Sequence, residues 1–304
     1  MSREFRDSVK PKQSWTGQST GSALGTRIFI WLLSACGLRP AYVLLWFVSF
    51  YYALFNKKAC SAIKKLRHQL NLPVSLVAYH RHFFTFGMSM LDRYAFQALK
   101  KSPFTFDCIN ENVIEEALTT GKGVVLLGAH YGNGELAGTM LQGKLPTTIN
   151  YIKLEAERQA ERAIFKNADS NRAVNIIPYV ENSPSMMVAI VQALRRGEIV
   201  CLHGDRVVGA DYRMVSFLGM SARFPRGAFA IAAATGASIV PIFVTKESAW
   251  HYRFEAFEPI TVAYDRAERE AQIAKGMERY VGLLENVVRK NPYNWFNFYD
   301  FWQG

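Results

Sequence analysis

The sequence predicts an α/β protein: a helix-flanked, largely parallel sheet preceded by an N-terminal apolar helical region. Three observations carry this. From Ser102 onward, helix-like segments that stop at glycine alternate with short apolar runs that read as interior strands. Ahead of them, residues 24–101 hold two apolar stretches followed by a basic cluster. Half of the 304 residues are apolar, enough for a sizeable core, so disorder is expected only at the extreme N-terminus. The expected organisation is a polar segment over residues 1–23, a membrane-associating helical region over 24–101 and an α/β domain over 102–304.

In the first region, Ile28–Cys36 and Ala41–Phe55 are strongly apolar. Neither alone supplies the roughly 18–20 apolar residues of a spanning helix. Arg39-Pro40 is expected to interrupt the combined run. A hairpin or shallow insertion therefore fits better than a simple span, with a pair of buried core helices as the alternative. Trp31, Tyr42, Trp46, Tyr51 and Tyr52 favour the headgroup level, and Lys57, Lys58, Lys64, Lys65 and Arg67 follow at once. Residues 1–101 hold 15 Lys+Arg against three acids, a net +12, whereas the rest of the chain is near neutral. An apolar anchor with a basic flank describes an N-terminal membrane anchor on an anionic surface. A polar, glycine-containing stretch precedes the apolar run without a small-residue cleavage pattern, which disfavours a secretory signal. Four scattered cysteines, with no C-x-x-C, suggest a reduced, cytoplasm-facing chain and no zinc site.

The α/β region then reads element by element. Glu111–Thr120 is helical and stops at Gly121, before the strand Val124–Leu127. Ser183-Pro184 makes an N-cap and first turn for a helix to about Arg196, and Ile199–Leu202 is the next strand. A helix from Arg226 to Thr235 stops at Gly236, and Ser238–Val244 is a third strand. Ligand sites of such sheets lie beyond the strands' carboxyl ends. His130 and the loop His203-Gly-Asp-Arg206 both fall there.

His130 and Glu135 are the main candidates for chemistry. Gly128, Gly132 and Gly134 let the chain turn sharply around His130, and from Glu135 the pattern becomes helical, with Leu136, Met140 and Leu141 on one face. A carboxylate in the first helical turn is expected to bond the imidazole, fix its tautomer and stabilise its protonated form. Such a pair lacks a nucleophile of its own and suits an enzyme whose nucleophile is a substrate hydroxyl. A polar histidine capping a strand-to-helix turn is the bland alternative.

The H-x4-E box at His130–Glu135, the Gly204-Asp-Arg206 loop, Phe217–Gly227, Ile239–Phe243 and the terminal Asn291–Asp300 occur in an order that resembles bacterial lysophospholipid acyltransferase-like proteins. The branch it is most similar to is the late acyltransferases of lipid A biosynthesis, from about residue 24 to the end. The resemblance implies a fold of the glycerolipid acyltransferase-like type. It implies transfer of a fatty acyl chain from an acyl carrier protein or coenzyme A thioester to a hydroxyl of a lipid or glycolipid, at the cytoplasmic face of the bacterial inner membrane. His130 would act as general base and Glu135 would orient it. Arg206 departs from the Asp-Gln usual in lipid A enzymes, and Asn294-Trp295 from their Glu-Gln-Trp, which bears on the acceptor more than on the chemistry.

Asp205 and Arg206 are candidates for the acceptor head group or an active-site salt bridge. Lys153, Arg158 and Arg172 are candidates for oxyanion or substrate contacts, with a solvated helix charge as the alternative for each. Arg223 and Arg226 flank Pro225 and are candidates for phosphate. No metal or organic cofactor is expected, the acyl thioester serving as co-substrate. Three other readings are weaker. Gly17-Gln-Ser19-Thr-Gly21 matches a hydrolase nucleophile pattern but follows no strand. A nucleic-acid role for the basic region lacks any recognition motif, so no nucleic-acid partner is expected. A membrane-docked lipid- or carrier-binding protein without catalysis would not require the His130–Glu135 box. His80 and His82 point apart on a helix, and His68 and His251 carry no pattern.

Overall fold

The computed structural model describes residues 23–98, 103–141, 144–154, 175–180, 183–262 and 267–302. The Ser19 motif, Arg158 and Arg172 lie outside these residues.

Four helices come first: α1 (Ala23–Cys36), α2 (Leu38–Phe55), α3 (Lys57–Gln69) and α4 (Leu76–Ala98). The break between α1 and α2 falls at Gly37, whose φ of 83° suits glycine, rather than at Arg39-Pro40. Pro40 sits in the first turn of α2, where the missing N–H would have had no intrahelical partner. The expected interruption is thereby absorbed, and α2 runs for 18 residues. By length and composition alone it could cross a membrane, but 33% of it is buried within the protein. Asn56 caps α3 by accepting from the Ala59 N–H.

The remaining elements are β1 (Thr105–Ile109), α5 (Asn112–Leu118), β2 (Val124–Gly128), α6 (Gly134–Leu141), β3 (Ile149–Leu154), β4 (Asn175–Tyr179), α7 (Pro184–Arg195), β5 (Ile199–His203), β6 (Tyr212–Phe217), β7 (Met220–Pro225), α8 (Gly227–Thr235), β8 (Ser238–Lys246), β9 (His251–Ala256) and α9 (Arg269–Lys290). Seven strands form one sheet in the order β1-β9-β8-β2-β5-β3-β4. β8, β2, β5, β3 and β4 run parallel, whereas β9 turns back antiparallel on β8 and carries β1 parallel to itself. The expected strands and the Ser183 cap, which accepts from the Met186 N–H at 3.3 Å, are present within a residue or two. β6 and β7 form a separate hairpin whose turn residues Leu218 and Gly219 both have positive φ.

Central strands are buried on both sides, and their side chains alternate between two cores. Val125, Leu127, Val200 and Phe243 face α8 and α9. Val124, Leu126, Ile199 and Val240 face the other way and share a core with Leu38, Ala41, Tyr42 and Leu45 of α2 and Leu91 and Ala95 of α4. The two faces of α2 thus differ. One face is core, while Val43, Trp46, Phe47, Tyr51, Leu54 and Phe55 on the other are exposed.

Candidate active site

Two loops leave the sheet side by side at the carboxyl ends of β2 and β5. Gly128 pairs with His203 in the strand register, and the Gly204 N–H donates to the Gly128 carbonyl at 2.9 Å. Locking these loops together brings Asp205 against His130, 75 residues away in the chain. The His130 backbone N–H donates to both carboxylate oxygens at 3.1 Å, and its ring Nδ1 lies 2.8 Å from Asp205 Oδ1. Trp295 Nε1–H adds a longer contact to Oδ2 at 3.3 Å.

The electrostatics favour an ionised carboxylate beside the ring. Burial opposes ionisation of Asp205, but the contacts with His130 and the charge of Arg206 outweigh it and hold the carboxyl below the usual carboxylate range. An ionised carboxylate only accepts hydrogen bonds, so the ring Nδ1–H of His130 is the donor to Asp205. The Asp205 side chain is 2% exposed and that of His130 22%, which leaves the imidazole reachable from outside and its partner sealed. Beside it stands His203, ring centroids 4.5 Å apart. Burial, then the neighbouring His130, pushes the His203 pKa down to about 3, so at neutral pH it is an uncharged wall of the site.

The sequence spacing predicted Glu135 as the partner of the imidazole. The structure gives Nδ1 to Asp205 and brings Glu135 to Arg93 of α4, Oε1 to Nη1 at 2.6 Å, and to Lys153 of β3, Oε2 to Nζ at 2.8 Å. The reason is geometric: the chain turns through Gly132 before α6 begins, so the carboxylate is carried on the helix toward α4 and β3. At Gly132 φ is 58°, and an added Cβ would meet the Val244 carbonyl oxygen at 1.5 Å, so glycine is required. Burial works against the charge on Glu135, but Arg93 and Lys153 prevail and hold its carboxyl low. Glu135 therefore gathers two cations at the start of α6.

Arg206 spans to the C-terminal segment: its Nη2 donates to the Phe296 carbonyl at 2.8 Å and its guanidinium lies over the Tyr299 ring at 5.8 Å. That segment is tied to His130 itself, whose carbonyl accepts from the Phe296 N–H at 2.8 Å, and the Gly132 N–H donates to Asn294 O at 2.6 Å. Arg223 lies on the β6–β7 hairpin over Tyr212, centroid distance 4.7 Å. Arg226 is engaged by Asp211 and Glu270. Two contributors escaped the sequence reading: Arg93, which has no local signature on an apolar helix, and Trp295, whose role depends on the long return of the chain.

Residues 78–303 match the family model of the bacterial lipid A biosynthesis acyltransferases. A phosphatidylinositol mannoside acyltransferase of Mycolicibacterium smegmatis is 27% identical over 137 residues, 45% of this chain and 44% of its own length. One from Mycobacterium tuberculosis is 28% identical over 131 residues, 42% of this chain and 40% of its own. The aligned stretch thus spans less than half the length of these curated relatives.

Proposed function

Since the chain belongs to the bacterial lipid A biosynthesis acyltransferase family, we propose that it transfers a fatty acyl chain from an acyl thioester to a hydroxyl of a lipid or glycolipid acceptor, with His130 as general base. The observation that carries this reading is the His130–Asp205 contact, which fixes a partly exposed imidazole at the carboxyl edge of the sheet. Nε2 takes the acceptor's hydroxyl proton as its oxygen attacks the thioester carbonyl. Asp205 stabilises the imidazolium so formed. The tetrahedral intermediate collapses with cleavage of the C–S bond, and the thiolate leaves with the proton returned by His130. No covalent acyl-enzyme is required. Arg93 and Lys153, held by Glu135, supply positive charge for the oxyanion or an anionic substrate group.

The exposed aromatic and aliphatic face of α2, followed by Lys57, Lys58 and Lys64 on the outer face of α3, supports seating of this chemistry on an anionic membrane surface, at the cytoplasmic face of the inner membrane. The donor is an acyl carrier protein or coenzyme A thioester. Turnover that falls steeply with salt for a carrier-protein donor, and weakly for coenzyme A, would mark the acidic carrier as the one recognised by the basic region.

The test is mass spectrometry of lipid extracts from cells with the gene, without it, and with the gene encoding His130→Ala. Loss of one acylated lipid in both mutants names acceptor and chain together. An unchanged lipid profile, with purified protein that binds acyl carrier protein or lipid but turns over neither donor, would replace this reading by that of a binding protein.

A further inference from the structure

We propose that Asp107, Glu247 and His251 form a binding site for a divalent transition-metal ion such as zinc, away from the proposed chemistry, at the β1–β9 edge of the sheet. His251 carries no pattern in sequence because the three groups come from β1, from the turn after β8 and from the start of β9. The parallel register brings them together: Thr105 stands opposite His251, and Asp107 opposite Arg253. One potential ligand atom from each residue lies within 4.8 Å of the other two.

The separations fit a metal site. His251 Nε2 is 3.3 Å from Asp107 Oδ2 and 3.6 Å from Glu247 Oε2. Charge-assisted N–H···O bonds close to about 2.7–2.9 Å, so both gaps are wide for a protonated histidine between two carboxylates. They suit the edges of a coordination tetrahedron, because ligand bonds of about 2.0–2.2 Å to zinc place neighbouring ligand atoms about 3.3–3.6 Å apart. The surrounding contacts orient the ligands as metal sites require. The Thr105 hydroxyl lies 2.8 Å from His251 Nδ1, which leaves Nε2 for the ion. Arg253 Nε–H donates to Glu247 Oε1 at 2.6 Å, which leaves Oε2 facing the histidine. With side chains 27–53% exposed, the site is open to bulk solvent and to a water as fourth ligand. An ion there would pin the β8–β9 turn, where Trp250 packs on Tyr42 of α2 and the Trp250 carbonyl accepts from the Thr105 N–H. Its role is thus to stiffen the seat of α2.

Isothermal titration of tag-free protein with zinc chloride, in a non-chelating buffer at neutral pH, is the direct test. We expect one equivalent bound at micromolar affinity, a weakening of at least tenfold in His251→Ala and Asp107→Asn, and none in His68→Ala, an exposed histidine on α3. Zinc should raise Tm in the wild type but not in His251→Ala, with EDTA reversing the shift. Wild-type protein that takes up no zinc at millimolar concentration, or His251→Ala that binds as the wild type does, would overturn the site.

Discussion

Two acid–base pairs in this molecule, one half-open and one fully buried, use similar groups to opposite ends. His130–Asp205 sits on two loops at the ends of parallel strands, with the carboxylate sealed and the imidazole open. Asp92–Lys246 joins α4 to the end of β8, and its side chains are 0% and 2% exposed. Tyr42 and Tyr252 donate their hydroxyls to Asp92, and Lys246 Nζ also donates to the Ala249 carbonyl at 3.0 Å. Burial prevails there, raising the Asp92 pKa and lowering that of Lys246, so each is pushed toward its neutral form despite the other. At Asp205 the partners prevail over burial. A sealed pair can hold elements together, whereas a pair with one open member can also exchange a proton with a substrate.

The largest effect should come from breaking the open pair. His130→Ala should lower acyl transfer by about two to four orders of magnitude with an unchanged circular dichroism spectrum. Asp205→Asn keeps the shape but not the charge, so a loss of about a hundredfold is expected, with a shifted pH–rate profile. Glu135→Gln should weaken the hold on Arg93 and Lys153 and leave the His130 pH profile in place. If instead Glu135→Gln moved that profile and Asp205→Asn did not, the sequence reading of Glu135 as the ring's partner would be restored.

The sealed pair answers in stability rather than in rate. Lys246→Met takes the counter-charge from buried Asp92, leaving it the Tyr42 and Tyr252 hydroxyls, and should cost about 3–5 kcal/mol in urea unfolding. Replacing both, as Asp92→Leu with Lys246→Met, should recover only part of that loss, since an apolar pair escapes the desolvation penalty but takes the acceptor from the Tyr42 and Tyr252 hydroxyls. The turnover of the folded double variant should match the wild type. A large fall in kcat without loss of stability would show that the sealed pair is coupled to the chemistry.

Much of the fold was legible in the sequence, neither pair was, and the limits have physical causes. Val124–Leu127, Ile199–Leu202 and Ser238–Val244 were readable because a strand buried on both faces is a continuous apolar run between glycine stops. β1 and β9 were not, because their burial alternates and polar residues mask them. The β6–β7 hairpin turns on Leu218-Gly219, without the asparagine or aspartate that usually announces such a turn. His130 and Asp205 were each found from their place after a strand, but their pairing depends on a neighbour relation 75 residues apart. The nearer acid, Glu135, drew the assignment because sequence proximity is visible and the direction of a side chain is not.

The histidines give a smaller, graded response to acid. Burial pushes the pKa of His82 down to about 4 and, with the neighbouring His130, that of His203 down to about 3, from an ordinary value near 6.5. In that window the unfolded chain binds more protons than the folded one, so stability rises with pH and is lost as pH falls from about 6.5 toward the folded values. His82→Gln should flatten the pH dependence of the urea midpoint between about pH 6.5 and 4 relative to the wild type. An unchanged slope would place the titrating groups elsewhere.

The smallest expected effect concerns the contrast between α2's two faces. Deleting residues 1–55 would be a poor probe of membrane docking, because Tyr42 donates to Asp92 and Leu38, Ala41 and Leu45 belong to the core, so their removal would disturb the fold. The exposed basic face of α3 can be tested separately. Lys57 and Lys64 are exposed, whereas Lys65 is paired with Asp300 and should be left in place. A lysine near an anionic bilayer contributes about 1 kcal/mol, or roughly fivefold in binding. Lys57→Gln with Lys64→Gln should therefore weaken sedimentation with phosphatidylglycerol-containing vesicles by about 25-fold at low salt, with little change on phosphatidylcholine vesicles. Turnover of detergent-dispersed acceptor should stay the same, since neither lysine touches His130. Vesicle binding that survives this change but is lost in Phe47→Ser with Phe55→Ser would assign docking to the apolar face of α2 alone.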